Sequence, residues 1–422
     1  MKRLLLLTLL CLPTLLRGQA VDSTADARPR FRDHLTIGAD VNTSYLLPYD
    51  DVYKNIMHNY VAGMVGANVQ YRTTPRDANA YDAAWGFPTL EAGVIFAPMK
   101  HIKLWRKDGS SDYKSTFGDM LTLYAGFRRD LLRKNAWTLG YHAENGIGFA
   151  FQPYNKRTNV DNEIIGSTYN IFVAFGFFAN YRLSSRWSVG LDLAFRHFSN
   201  GTLDRPNKGI NAFGASVRAN YDLEPAETHL PVKAKGLSGF KKYVYVDVLA
   251  GMSAKTLLDH YTINYWARDP SDPQYRSEHY PIYTAFTAAV APMWRYGLRY
   301  ASGLELDYTY APYADKIKAL DESRGQTEYS YSRHVLGIGL RHEAFFRHFS
   351  VSMAFGWYAF RKMGYTADID ERPYYEKIGV RYNFPFSGDR LFIGYNVKAH
   401  LNKADCMQLT LGWRFIPKKH IR

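Results

Sequence analysis

Alternation with a period of two constrains this chain more than any other feature. In RWSVGLDLAFRHFSN, Trp187, Val189, Leu191, Leu193 and Phe195 share one parity, while Ser188, Gly190, Asp192, Ala194 and Arg196 share the other. Successive side chains of a strand point to opposite faces, so such a segment offers one large apolar face and one small or polar face. Comparable segments, bounded by turn residues, recur near 34–46, 60–72, 88–98, 116–130, 136–151, 167–182, 186–200, 210–223, 241–255, 280–295, 298–311, 329–344, 348–361, 373–385, 390–401 and 405–416. They predict an all-β chain of sixteen antiparallel strands, with fourteen also accommodated. No segment of helical period and no heptad repeat interrupts them.

The environment follows from the two ends of the composition. The first residues, MKRLLLLTLLCLPTLLRGQA, join basic residues, an apolar run and a small-residue stretch near Gly18–Ala20, as a secretory signal peptide does. Small residues do not precede Cys11, so a lipoprotein site is disfavoured; cleavage would leave Cys406 as the one cysteine and no intramolecular disulfide. Beyond the leader no run of about 20 apolar residues exists to form a transmembrane helix. Yet the chain holds 33 tyrosines, 25 phenylalanines and 8 tryptophans. An exported, aromatic-rich, alternating chain fits a transmembrane β-barrel, where only alternate residues meet lipid. The expectation is a signal peptide over 1–20 and a single barrel over 21–422, a multi-pass protein of the bacterial outer membrane. A formal charge of +14 suits anionic lipid head groups, and export argues against nucleic acid. Nothing in the sequence sets an oligomeric state.

Link lengths predict orientation. Those at 128–135, 181–186, 294–297, 345–348 and 386–390 are short and follow even-numbered strands, as periplasmic turns should. Those holding 99–115, 152–166, 256–279 and 312–328 are long and follow odd ones. Two supposed periplasmic links fit poorly: 73–87 is longish, and 224–240 is long and rich in Pro and Lys.

The pentapeptide FRHFS occurs twice, at 195–199 and 346–350. Parity separates the copies. His197 and Ser199 continue the row of Trp187 and Phe195, the lipid side, near the outer rim. His348 and Ser350 fall with Ser352, Ala354 and Gly356 on the lumen side, beside a short turn. Polar groups on a hydrocarbon face are costly unless they sit at the interface. An interfacial His and Ser in an aromatic girdle would be unremarked, but Asn211 also faces lipid at the outer end of the next strand. Three polar side chains thus converge on the external wall. Such a patch suits ester hydrolysis: Ser199 as nucleophile, His197 as general base and later acid, and Asn211 orienting the imidazole. Backbone N–H groups at Asn200–Gly201, or the side chain of Asn200 or Asn207, would bind the oxyanion. A membrane lipid reaches this wall by lateral diffusion; a soluble ester does not.

The stretch from His197 to Gly201, HFSNG, followed by Pro206-Asn207-Lys208-Gly209-Ile210-Asn211, resembles the signature of the PagL-type lipid A 3-O-deacylases. The resemblance implies an outer-membrane hydrolase with a serine nucleophile, acting without cofactor on lipid A of the outer leaflet, with Ser199 as nucleophile and His197 as base. It covers about 20 residues. Family members are eight-stranded and much shorter, so half of this barrel lies outside it. The chain departs from the family at the triad's third member, where Asn211 stands in place of Glu. In a serine protease that exchange costs about 10⁴ in rate through the wrong tautomer. Slow turnover, recruitment of another acid such as Asp204, and inactivity all stay open. Arg196, Arg205 and Lys208 flank the patch and would suit the phosphates of lipid A, though basic loops are ordinary on such barrels. HExxH is absent, no metal site is expected, and His101, His142, His260 and His279 read as solvated or interfacial. Two other classes remain: a porin-like transport barrel, since sixteen strands leave room for a channel, and a non-catalytic surface protein.

Overall fold

In the computed structural model of the chain the sheet closes twice. Residues 31–75, 79–109, 111, 114–225, 232, 240–263, 271, 280–401 and 403–417 are described. The first barrel holds β1 (Leu35–Leu46), β2 (Val61–Arg72), β3 (Thr89–Ala97), β4 (Met120–Lys134), β5 (Trp137–Ala150), β6 (Tyr169–Arg182), β7 (Trp187–Ser199) and β8 (Ile210–Asp222). The second holds β9 (Tyr243–Thr256), β10 (Ile282–Arg295), β11 (Tyr300–Tyr310), β12 (His334–Phe346), β13 (Phe349–Phe360), β14 (Tyr374–Asn383), β15 (Leu391–His400) and β16 (Lys403–Phe415). All neighbours pair antiparallel. β1 meets β8 with Ala39 opposite Ala219, and β9 meets β16 with Ala250 opposite Leu411.

The all-β class and the sixteen strands hold, but the single barrel gives way to two of eight. Alternation tells which side chains face inward. It does not tell which strand receives the free edge of β8. In lipid that edge must be paired, and β1, far away in sequence, is as competent a partner as β9. The two poorly fitting links now have a reason. Residues 223–242 connect the barrels, and 73–88 carries a short helix, α1 (Ala80–Ala84), that docks on the second barrel. Trp85 Nε1 donates to the Phe345 carbonyl at 2.8 Å, and Arg347 Nε donates to Asp82 Oδ1 at 3.1 Å. The leader and its cleavage point lie outside the described residues.

Eight strands leave an interior that side chains can fill, and charged residues fill both. In the first lumen Arg218 Nη1 donates to Glu91 Oε2 at 2.7 Å and Arg128 Nη2 to Asp192 Oδ1 at 3.0 Å. In the second, Arg341 Nη2 donates to Asp247 Oδ2 and Glu343 Oε2, each at 2.7 Å, and Arg414 Nε to Asp247 Oδ1 at 2.9 Å. All these residues are buried. His142 belongs to the first network, 2.8 Å from Glu144, so it is neither solvated nor interfacial. The outer rows are apolar and exposed, from Trp187 to Phe195 on β7 and through Leu409, Leu411 and Trp413 on β16. Cys406 is buried and unpaired. His101 and His260 lie in connections, and His279 falls outside the described residues.

Two outcomes follow. In planar bilayers the full chain should show no porin-sized conductance; a stable open channel would contradict the filled lumens. Asp247→Ala leaves Arg381 and Arg414 with Glu343 alone, and Arg341 with Glu343 and Glu305. Breaking a buried ion network in this way should cost about 3–5 kcal/mol, read as a lower temperature for loss of the folded band in SDS gels.

Candidate functional site on the outer wall

His197 and Asn211 stand directly opposite each other across the β7–β8 pair, and Ser199 lies two residues on, at the end of β7. Residues i and i+2 share a face about 6.6–6.8 Å apart, and the imidazole spans that gap. His197 Nε2 lies 2.9 Å from Ser199 Oγ, and Nδ1 lies 2.7 Å from Asn211 Oδ1. An amide oxygen accepts, so Nδ1 carries the proton and the Nε2 lone pair faces the hydroxyl. The three groups form one hydrogen-bonded file along the outward parity. His197 and Asn211 are half-buried, while Ser199 is covered to 9% exposure by the loops above it. Gly209 (φ +74°) closes the near side: a Cβ there would stand 3.2 Å from Ser199 Cβ and 3.3 Å from His197 Cε1.

The connection 200–209 is held from both barrels. From the first, Tyr49 and Tyr53 donate to the carbonyls of Lys208 and Gly209. Gly209 N–H donates to the Ile164 carbonyl at 2.9 Å. From the second, Thr256 at the end of β9 donates twice to the Thr202 carbonyl, from N at 2.7 Å and Oγ1 at 2.8 Å. Thr202 Oγ1 donates to the Asp405 carbonyl at 3.0 Å. Asp405 sits where the β15–β16 register slips, a bulge that turns the strand toward the loop. Gly201 (φ +62°) and Thr202 (φ +72°) are both left-handed. For a β-branched residue such a conformation costs about 1–3 kcal/mol and persists only where neighbours impose it; here they are Thr256 and Asp405. A Cβ on Gly201 would lie 2.5 Å from Met407 Cγ of β16.

The remaining predicted residues divide. Asn200 N–H donates to Asn207 Oδ1 at 3.1 Å, and its amide donates to the Asp204 carbonyl at 3.2 Å. Asn200 is thereby committed to shaping the turn. The first bond turns the Asn207 Nδ2 group away from Asn200, and Asn207 lines the cavity of Ser199 and His197. Asn207 Nδ2 and Gly201 N–H make no hydrogen bond among the described residues. Arg205 reaches Thr256, donating from Nε to Oγ1 at 3.1 Å and from Nη2 to the carbonyl at 3.3 Å. Lys208 Nζ donates to Asp50 Oδ2 at 2.6 Å. Arg196 is a correction: it is buried in the first lumen, on the far side of the wall, because its parity opposes that of His197. The imidazole takes Asn211 as its partner, and Asp204 is instead bonded from Oδ1 to the Arg205 N–H.

In the second FRHFS copy the two polar groups serve other partners. Ser350 Oγ donates to Glu343 Oε1 at 2.6 Å inside the second lumen. His348 sits in the turn, exposed, 2.9 Å from Asp389. Thr202, Thr256 and Asp405 escaped the sequence reading. Thr256 and Asp405 come from a barrel whose position beside the site no spacing reports. Among the described residues one further group, Glu371, His400 and Asp405, has metal-ligand proximity. Lys255 pairs with Asp405 and Arg361 with Glu371, so these charges are already matched.

Two family models match in tandem: lipid A 3-O-deacylase (PagL) over residues 37–220, and acyloxyacyl hydrolase, C-terminal domain, over 245–419. Their bounds track the two barrels. No curated protein matches the chain. Among solved structures, the outer membrane enzyme PagL is 14% identical, covering 43% of this chain and 97% of that one, with a TM-score of 0.27. An outer membrane channel from Pseudomonas putida F1 is 9% identical over 94% of this chain and 100% of that one, with a TM-score of 0.20. A mutant porin of Rh. blastica is 9% identical over 90% and 99%, with a TM-score of 0.16. Scores this low carry no argument. The family models, one on each closed ring of strands, do: the chain belongs to the PagL family of outer-membrane lipid A deacylases, with the deacylase model on its first barrel and the C-terminal-domain model on its second.

Proposed function

We propose that the chain hydrolyses an ester-linked acyl chain of lipid A, the 3-O chain by the family's description, with Ser199 as nucleophile. The observation that carries this is the file Ser199–His197–Asn211 on the lipid-exposed wall of the first barrel. Lipid A in the outer leaflet brings its ester to that wall without leaving the membrane. Ser199 Oγ attacks the ester carbonyl while His197 Nε2 takes the hydroxyl proton. The oxyanion forms beside Gly201 N–H and Asn207 Nδ2, two donors that make no hydrogen bond among the described residues. Collapse expels the sugar hydroxyl, which recovers the proton from His197. Water, deprotonated by the same imidazole, then releases the fatty acid from Ser199.

Asn211 does half of what an acid would do. Its carbonyl selects the productive tautomer, which avoids the error that makes an amide so damaging in a serine protease. It brings no negative charge to the imidazolium of the transition state. The reading is therefore of a competent but slow hydrolase. The filled lumens weigh against a transport barrel.

Three measurements bear on this. Lipid A from cells carrying Ser199→Ala should retain one more acyl chain by mass spectrometry than lipid A from wild-type cells; identical spectra would sink the reading. Asn211→Asp keeps the shape and adds charge. Because an ionic hydrogen bond is roughly twice as strong as a neutral one, kcat should rise about five- to tenfold, whereas Asn211→Ala should lower it by a similar factor or more. Equal rates for all three would remove Asn211 from the mechanism. Gly209→Ala should cut kcat more than KM while the folded band survives, since its methyl, 2.8 Å from the Phe198 carbonyl and tight against Ser199 and His197, forces the loop to shift against that pair.

A further inference from the structure

The space in front of Ser199 is not bounded by the first barrel. It is a cavity of about 290 Å³ that continues along β9 and β16 into the outer mouth of the second barrel, where Lys255, Lys398 and Gln408 line it. Six cations and four carboxylates face it. Four of the cations are matched: Lys208 to Asp50, Lys255 to Asp405, Arg361 to Glu371 and Lys398 to Asp307. Two have no carboxylate within ion-pair distance among the described residues. One is Arg205, from the β7–β8 connection of the first barrel. The other is Lys403, at the start of β16 in the second.

Arg205 is the more informative. Two arms of its guanidinium are fixed by Thr256, and Nη1 makes no hydrogen bond among the described residues. Burial holds its pKa below the usual guanidinium value. Asp259, Asp405 and Glu371 lie near enough to act on it but make no ion-pair contact with it, and a half-buried cation in that position is favoured by an anion that touches it directly. The planar fork suits phosphate oxygens, and Lys403, which lines the same cavity, supplies a second charge. Both cations open on the cavity that holds the nucleophile.

We propose that this interbarrel cavity is an anion subsite for a phosphate monoester of the substrate's head group, held between Arg205 of the first barrel and Lys403 of the second. The second barrel then supplies half of the recognition surface for chemistry performed on the first. This rests on the esterase reading above.

The test uses the full chain in detergent micelles and two substrates: lipid A bearing its phosphates, and the same lipid A stripped of them by a phosphatase. The quantity read is the ratio of kcat/KM for the two. Wild type should favour the phosphorylated lipid by about ten- to hundredfold, the worth of one ionic hydrogen bond. Arg205→Gln and Lys403→Gln should each pull the ratio toward one, mainly through KM, and Arg205→Lys should keep most of it. A wild-type ratio of one overturns the subsite. So does an Arg205→Gln variant that loses activity on both lipids equally, because that marks a structural role. If Ser199→Ala still cleaves either lipid, the esterase reading fails instead, and the subsite falls with it.

Discussion

Satisfaction of backbone hydrogen bonds in a medium that offers none is the constraint on which this structure depends. A strand edge facing lipid must find a partner, and here that partner is found after every eight strands. The choice sets the diameter. At eight strands the interior must be filled, and the buried rows of Asp, Glu, Arg and Lys fill it with mutually compensating charge. The same closure makes the outer faces complete cylinders of apolar side chains. A polar file such as Ser199–His197–Asn211 then stands out against its surroundings.

Two cylinders side by side create what one cannot, a cleft. At the short-turn end it is pinned by Trp85 and Asp82 against the β12–β13 turn. At the other end it is pinned by Thr202 against Thr256 and Asp405. The second contact involves the residues that follow Ser199. Thr202 adopts a backbone angle that a free loop would abandon. The bonds from β9 and β16 impose it. The second barrel is thereby coupled to the geometry of the proposed site through backbone and hydroxyl contacts, without contributing a member of the Ser199–His197–Asn211 file.

Asn211 owes its place in the proposed site to local geometry. Facing His197 directly across the ladder, it needs no loop to bring it to the ring, and at 2.7 Å its carbonyl leaves one tautomer. An amide placed less rigidly would donate as readily as accept and would lose that selection. The proposed site is written into the register of β7 and β8 as much as into residue identity.

The strands, their faces and the candidate file were legible because each depends on short-range parity. Residues two apart share a face, and the first residues after a tight connection stand beside the last ones before it. That logic placed His197, Ser199 and Asn211 on one patch and sent Ser350 into a lumen. It was available for Arg196 as well, whose parity already pointed inward. Closure was not legible, because β1 and β9 offer the same alternating edge to β8 and only packing chooses between them. The Pro- and Lys-rich link after β8 was the one local trace of that choice. Thr256, Asp405 and the cation at Lys403 lie in a different closed ring from Ser199, so no spacing connects them to it. Which face each side chain takes was decided by the sequence, through the fixed geometry of the strand. Which rings form, and what stands in front of the nucleophile, was decided only by the tertiary structure, through pairings between residues far apart in the chain.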